Sequence, residues 1–525
     1  MEQVWKDREN LNKNEIAKLE KDGLAIIDEL PQLAKKSFED IAWDDVERLK
    51  WAGIYAQRPK NGLFLIRIKL PSGQLNSKQA KVIAQLAKQY GKNEIQITIR
   101  QCIQIHNITL ADAIAIRKAI AEVGLTSVGG CGDVPRNILG NPLMGIDPEE
   151  LFDTSNLVNE AVEFLTGNPE YSNLPRKFKL SISANPHDVG FAGINDCAFV
   201  PAVKTSHGET VDGFHVYVGG GLSRDPHLAV KLDFFVKPEE TLDFIKTVIT
   251  IFRDYGFREK RTHCRLKHLV DAWGKEKLQE EILKAMPDLE KGGRDYARKW
   301  TYGRFHGFHK QKQDGLYYAG LNVISGMMSA DALEQVALLS EKYGDGQLRT
   351  TNSQCLLVIN LPKEHLKDFE KACPLSLKPD YLRGYGASCT GNKYCNFAPI
   401  DTKYYLKALY DYLGERHDFK APFRINVTGC THQCAHAAIA DLGLVGGKMK
   451  KNGVMVDAFT LSIGGALGKE AQFGYTLKGR YSFEEVQKIA DLLIADFLTH
   501  KASTESYAHY VQNKGTEYFE SLIHA

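Results

Sequence analysis

The chain carries two copies of one unit, and that rules out a fold built on one core. Residues 63–108 align without a gap on residues 316–361 at a constant offset of 253, with 11 of 46 positions identical. The matches include Ser72/Ser325, Gly73/Gly326, Tyr90/Tyr343, Gly91/Gly344 and Gln101-Cys102/Gln354-Cys355. Several are turn and helix-cap residue types, and their common register argues against chance. The repeat continues more loosely. LPRKFKLSIS at 174–183 resembles APFRINVTGC at 421–430, and GFHVYVGGGLS at 213–223 resembles AFTLSIGGALG at 458–468. Two such copies within 525 residues predict a pseudo-twofold molecule whose ligand site lies between the halves.

Each copy reads strand, turn, helix, strand. Phe64, Ile66, Ile68 and Leu70 alternate with Leu63, Leu65, Arg67 and Lys69, which is strand period. Ser72-Gly73 marks a turn. Residues 77–90 place Val82, Leu86 and Tyr90 on one helix face, and Gly91 follows as a cap. The stretch 95–106 reads as one strand, with isoleucines 95, 97, 99, 103 and 105 on one face and Thr98, Arg100, Cys102, Gln104 and His106 on the other. The second copy replaces Arg67, Arg100, Gln104 and His106 by Gly320, Ser353, Leu357 and Ile359. The first copy therefore reads as specialised for an anion, against the alternative of a solvated strand face. Residues 1–50, rich in Lys, Glu and Asp, predict a peripheral helical arm. The charged stretch 275–300 also reads as helical.

Composition narrows the function classes. Hydrophobic residues make up 43% and charged residues 25%, the balance of a soluble globular chain. No apolar run approaches the ~20 residues of a membrane span, and the polar start MEQVWKDREN is no export signal. The net charge of +2, from 67 basic and 65 acidic residues, gives no reason to expect nucleic acid as partner. Ten cysteines in a chain of this length make no disulfide scaffold. The expectation is a reducing cytoplasmic compartment, where grouped cysteines hold metals or do redox work.

Four cysteines are grouped: Cys389-TGNKY-Cys395, then Cys430-THQ-Cys434. Thiolates suit zinc or iron–sulfur clusters. Structural zinc pairs are usually separated by two to four residues, and the five-residue spacer here fits that rule poorly. Basic residues gather in other segments. Lys177 and Lys179 stand two apart in LPRKFKLSIS, so both leave one face of an extended chain. Arg136 lies in the Gly/Pro-rich GCGDVPRNILGNPLMGID. Each could be a solvated surface charge; together they favour an anion site.

From about residue 45 onward the chain resembles the sirohaem-containing sulfite and nitrite reductases. The C-x5-C and C-x3-C spacing is that family's cluster motif. TIRQCIQIH, RNILGNPLMGID, LPRKFK and VGGGLS match its other signature segments in order. The resemblance implies a mixed α+β (α/β) molecule, internally duplicated. It would have two ferredoxin-like half-domains (51–125 and 310–370), a sirohaem- and substrate-binding domain (126–309) and a cluster domain (371–525), after the arm at 1–50. It implies a [4Fe–4S] cluster on Cys389, Cys395, Cys430 and Cys434, with Cys434 bridging to the sirohaem iron. Arg67, Arg136, Lys177 and Lys179 would bind the oxyanion substrate. Arg100, Gln104, His106, Arg176, Asn195, Arg265, Lys267 and Gln354 would border the macrocycle.

The implied reaction is six-electron reduction of sulfite to sulfide, the lysines giving protons and the arginines orienting. Reduction of nitrite to ammonia on the same centre is the alternative. Lys179 favours sulfite, because the family's sulfite reductases carry Lys there and its plant-type nitrite reductases carry Asn. A non-catalytic cysteine–metal protein is the remote alternative. No flavin or nicotinamide segment is present, so an external ferredoxin-type donor is implied; the chain reads as a monomer. The loop departs from the family in Thr431-His432, where His432 would tune the cluster by hydrogen bonding. Tyr55 and Cys131 flank the proposed pocket. Some relatives cross-link such a pair, and simple packing is the alternative.

Overall fold

A computed structural model describes residues 10–524 except 207, 299, 302, 304 and 379. Residues 1–9 of the expected arm lie outside the described residues.

Among the described residues, four open sheets carry the chain. The first runs Ile54–Ala56, Phe64–Ile68, Ile103–Ile108, Glu94–Ile97 and then Met327–Ser329. Its counterpart runs Gly307–Lys310, Leu316–Leu321, Leu356–Pro362, Gln347–Thr350 and then Gln74–Asn76. Each half thus lends its short strand to the sheet of the other. Met327 pairs with Gln96 and Ser329 with Glu94, while Gln74 pairs with Arg349 and Asn76 with Gln347. The exchange makes the two repeats one body, with a shared apolar core that includes Ile66, Ile105, Leu321 and Val358.

The helices Ser77–Tyr90 and Ala330–Tyr343 follow the exchanged strands and pack on each other. The first starts at a capping box: the Asn76 side chain accepts from the Gln79 N–H at 2.9 Å, and the Gln79 side chain from the Asn76 N–H at 3.0 Å. Its buried stripe runs through Ala80, Ile83, Ala84 and Ala87, with Val82 and Tyr90 half-buried beside it.

The stretch 95–106 is not one strand. It folds back at residues 98–102 into an antiparallel hairpin, closed by Thr98 N–H to Cys102 C=O at 2.9 Å and Gln101 N–H to Thr98 C=O at 2.9 Å. Gln101 takes a left-handed backbone, φ 57°. The alternation of apolar and polar residues simply continues across the turn, so periodicity alone conceals it.

The other two sheets belong to the looser repeat. One contains Leu180–Ile182 beside the hairpin Cys197–Ser206/Glu209–Val218. The other contains Ile425–Thr428 beside the hairpin Leu442–Lys451/Val454–Ile463. Backbone detail repeats as well: Phe191 (φ 56°) and His436 (φ 58°) each open a short 3-10 turn in the left-handed region.

The arm is helical at Lys13–Glu20, Ile26–Leu33 and Trp43–Arg48, but it is less peripheral than its composition suggests. Glu15 and Lys18 are buried. Glu15 meets Arg258 at 2.5 Å, and Lys18 lies 3.5 Å from Asp133. The stretch expected to be helical over 275–300 is helical only to Ala285, in the second part of a helical run Leu266–Ala285 that breaks at Gly274 (φ 74°), and short strands follow at 290–291 and 294–295. No described helix is long and apolar enough to cross a membrane.

Candidate functional site

The four grouped cysteines come from two loops that leave adjacent parallel strands. Cys389 follows Ala387–Ser388, and Cys430 follows Ile425–Thr428; Cys389 N–H bonds Val427 C=O at 3.2 Å. Backbone donors already point at sulfur. Gly429 N–H reaches Cys389 Sγ at 3.2 Å, and Phe397 N–H reaches Cys395 Sγ at 3.4 Å. His432 Nδ1 lies 3.2 Å from Cys430 Sγ, within hydrogen-bonding distance.

Tetrahedral zinc with Zn–S bonds of ~2.3 Å brings its sulfurs to about 3.8 Å from one another. Among the described residues, no three cysteine sulfurs gather within 4.8 Å of one another. Cys430 nevertheless feels Cys434, Cys389 and Cys395 electrostatically, and Cys434 feels Cys389 and Cys395. Four grouped thiols are the donor set of a sulfur-bound metal cluster.

Facing Cys434 is a floor of cations. Lys177 and Lys179 project from the extended segment before Leu180–Ile182, on the side opposite buried Phe178. Both act on Cys434, as does Arg67. Burial pushes the Lys179 ammonium down to about 7, reinforced by Arg100 and Arg265. Burial holds Lys177 well below its ordinary range, with Arg176 and Lys179 adding to it. Burial works against Arg67 too, but the thiol of Cys131 and the phenol of Tyr55 outweigh it and raise its pKa.

The arginines are held by neutral oxygens. Arg136 donates from Nε and Nη2 to Gly132 C=O at 3.0 and 2.7 Å, and from Nη1 to Gly130 C=O at 3.3 Å. Arg67 shares that Gly130 carbonyl at 3.1 Å and donates to Gln104 Oε1 at 3.1 and 3.3 Å. Arg100 donates to Asn195 Oδ1 at 2.9 Å and to the carbonyls of Asn137 and Leu180. Among the described ion pairs, none involves Arg67, Arg100, Arg136, Lys177 or Lys179. Arg100 Nε, Gln104 Nε2 and His106 Nδ1 are buried without hydrogen-bond partners. Enclosed cations lacking carboxylates are costly unless an anion joins them. A macrocycle bearing many carboxylates, such as sirohaem, fits that floor.

The remaining expected residues divide. Arg176 pairs with Asp133 at 3.1 Å, and Arg265 with Asp196 at 2.8 Å. Lys267 donates to Leu222 C=O at 3.3 Å, and burial lowers it to about 8. His106 bonds Gln96 at 3.0 Å and stacks on Tyr394 at 4.1 Å, beside the first cysteine loop. Gln354 stands apart: its Nε2 donates to Ile97 C=O and its Oε1 accepts from Ser388 N–H, so both amide ends serve the backbone. Burial raises the Tyr55 phenol above its ordinary value, with Cys131 adding to it, and the Arg67 guanidinium lies 5.4 Å from the Tyr55 ring centre.

Two residues escaped sequence reasoning. Lys403 donates to the carbonyls of Ser325 and Ser388, and burial lowers it to about 7, against the raising influence of Cys389. Buried His436 lies among Lys179, Arg100 and Arg424. The signal for His436 was its place opposite Phe191, 245 positions earlier in the looser repeat.

Comparison with known proteins gives concordant results. The family model "Nitrite and sulphite reductase 4Fe-4S domain" matches residues 131–288 and 386–525. The model "Nitrite/Sulfite reductase ferredoxin-like half domain" matches 55–123 and 309–373. The ferredoxin–nitrite reductase of Synechococcus elongatus is 36% identical over 486 residues, covering 90% of this chain and 94% of that protein. The assimilatory ferredoxin-dependent nitrite reductase of Haloferax mediterranei is 33% identical, covering 94% and 90%. The solved structure of the Mycobacterium tuberculosis NirA protein superposes with a TM-score of 0.92 at 28% identity, covering 99% of each chain.

Proposed function

The chain belongs to the nitrite and sulphite reductase family and is an oxidoreductase of the sirohaem and [4Fe–4S] type; from that membership we propose that it reduces nitrite to ammonia with ferredoxin as electron donor. The observation that carries the reading is that one thiol, Cys434, lies within electrostatic reach of Lys177, Lys179 and Arg67. Cations beside a thiol that would hold the cluster suit reduction of a small oxyanion, whose negative charge they would stabilise. The names of the curated relatives support nitrite as that oxyanion.

Cys389, Cys395, Cys430 and Cys434 would hold the cluster. Arg100, Arg265, Lys267 and Asn195 would face the macrocycle's carboxylates. When bound, the two cofactors supply single electrons and an iron for the oxyanion. The side chains do the rest. Arg67 and Arg136 are fixed by the Gly130 and Gly132 carbonyls and Gln104, so they meet negative charge without reorganising. Lys179, at about 7, can hold a proton on Nζ or release it near neutral pH. Burial lowers Lys177 well below its ordinary range as well, so its Nζ can also release a proton.

The donor would dock where the cluster loops reach the surface. Phe397, two residues beyond Cys395, is 72% exposed. Exposed Arg58 donates to Asn396 C=O at 3.3 Å, and exposed Arg224 donates to Thr431 Oγ1 at 3.3 Å. These cations suit an acidic partner.

Sulfite is the second reading, favoured by Lys179 itself. A second lysine in the floor suits a dianion better than a monoanion. Steady-state turnover of both oxyanions with reduced ferredoxin decides between them. The proposal expects the higher kcat/KM for nitrite; a higher value for sulfite replaces it with the second reading.

A further inference from the structure

We propose that Asp225, His227 and His268 form a site for one divalent cation of the zinc class, separate from the cysteine centre. One ligand atom from each residue lies within 4.8 Å of the others. Asp225 Oδ2 is 3.6 Å from His268 Nδ1 and 3.7 Å from His227 Nδ1. Tetrahedral zinc, with bonds of ~2.0–2.1 Å to nitrogen and oxygen, needs ligand atoms about 3.4 Å apart. Two of the three edges are therefore already within a few tenths of an ångström of what zinc requires.

The histidines sit on fixed backbone, as a selective site needs. His227 is paired with Gly221 through both backbone bonds, 2.8 and 2.9 Å. His268 lies in the first turn of the helix Leu266–Ala285, its N–H on Arg265 C=O at 3.0 Å. Its ring is gripped on two sides. His263 stacks on it at 4.0 Å, with Phe257 stacked on His263 in turn, and His227 meets it edge-on at 5.6 Å. His268 is buried, whereas the Asp225 side chain is 63% exposed. The open side is thus on the carboxylate, where water can complete the coordination.

The donor set selects the ion. Two imidazoles and one carboxylate suit zinc and its neighbours and are poor for calcium or magnesium, which want oxygen. Lys267 lies close enough to influence Asp225's surroundings, which works against a cation, but its ammonium is directed to Leu222 C=O. A bound ion would tie the Gly219–His227 loop to the helix that begins beside Arg265. That loop also touches the second cysteine loop, through Arg224 to Thr431 and through Gln433 Nε2 to Ser223 C=O at 3.2 Å. The ion would act as a clamp on one wall of the reductase centre.

The test is zinc binding by the holoenzyme. The cofactor-loaded protein is dialysed against zinc chloride, and zinc and iron are counted by plasma mass spectrometry. Calorimetric titration with zinc gives the affinity, and zinc-edge X-ray absorption gives the ligand atoms. The expected result is one zinc per chain with nitrogen and oxygen neighbours. Asp225→Asn and His227→Asn should each weaken binding at least tenfold, about 1.4 kcal/mol, with iron content unchanged. Both change accessible loop residues, so the test stands even if His268→Gln does not fold. Absence of a retained zinc, sulfur neighbours, or wild-type zinc affinity in both variants would overturn the proposal.

Discussion

Gln101 and Gln354 occupy matched positions in the two repeats, and each amide reaches across to the other half. Gln101 Nε2 donates to Thr350 C=O at 3.2 Å, and Gln354 Nε2 donates to Ile97 C=O at 2.9 Å. Both residues hold a left-handed backbone, φ 57° and 62°. Their Oε1 atoms differ in purpose: one accepts from Gly140 N–H at 3.1 Å, the other from Ser388 N–H at 3.0 Å, next to Cys389. Gln354→Leu would strand a buried donor and a buried acceptor. The expected loss is about 2–4 kcal/mol, seen as a lower thermal midpoint, together with reduced iron content because Cys389 is less firmly placed. An unchanged midpoint would mean that the crossing bonds do not hold the halves together.

Lys179 offers the sharpest test of substrate choice. Lys179→Asn removes a positive group from the floor and leaves Lys177 with one less like-charged neighbour. Sulfite turnover should then fall by at least tenfold more than nitrite turnover, since the dianion gains more from each cation. Equal losses for both oxyanions would make Lys179 a proton source common to the two reactions rather than a discriminator.

Asp133 pins the N-terminal arm to the body. Its carboxylate lies 2.5 Å from Arg261, 3.1 Å from Arg176 and 3.5 Å from Lys18. Burial opposes its charge, but Arg261, Lys18 and Arg176 hold it well below its ordinary value. A carboxylate lowered on folding contributes stability in full above its unfolded pKa of about 3.9 and loses it as pH falls through the folded value. Asp133→Asn should cost about 3–5 kcal/mol near neutral pH and expose residues 13–20 to amide exchange. The gap between variant and wild type should close only in strong acid; a gap that stays constant from pH 7 to pH 2 would remove this linkage.

Much of this architecture was legible in the chain. The repeat, the cysteine pairs and the common face of Lys177 and Lys179 are local patterns, and local patterns survive folding. What stayed hidden depends on distant partners. The turn at Gln101 is held by bonds to Ser72 and Thr350, one of them in the other half. The exchange of Gln74–Asn76 for Met327–Ser329 leaves no periodic mark. Glu15 and Lys18 look like surface residues until Arg258 and Asp133 arrive from elsewhere in the sequence. Lys403 reads as an ordinary helix charge, yet it caps the carbonyls of Ser325 and Ser388.

Phe397 gives the donor proposal a separable signature. It is an exposed aromatic two residues from Cys395, 5.3 Å from the ring of His432, with Arg58 and Arg224 on the two cysteine loops beside it. Exposed aromatics and arginines are the residue types that dominate protein–protein contacts. The ring makes no ion pair, so its contribution should withstand salt, whereas that of the arginines should be screened beyond about 10 Å at 0.1 M. Phe397→Ser should therefore raise the KM for reduced ferredoxin at low and high ionic strength alike. Arg58→Gln with Arg224→Gln should raise it mainly at low ionic strength. With a small artificial reductant such as reduced methyl viologen, all three substitutions should leave nitrite turnover close to wild type, because the dye needs no docking face. If Phe397→Ser slowed the dye-driven reaction as much as the ferredoxin-driven one, the ring would be supporting the Cys395 loop and not receiving a partner.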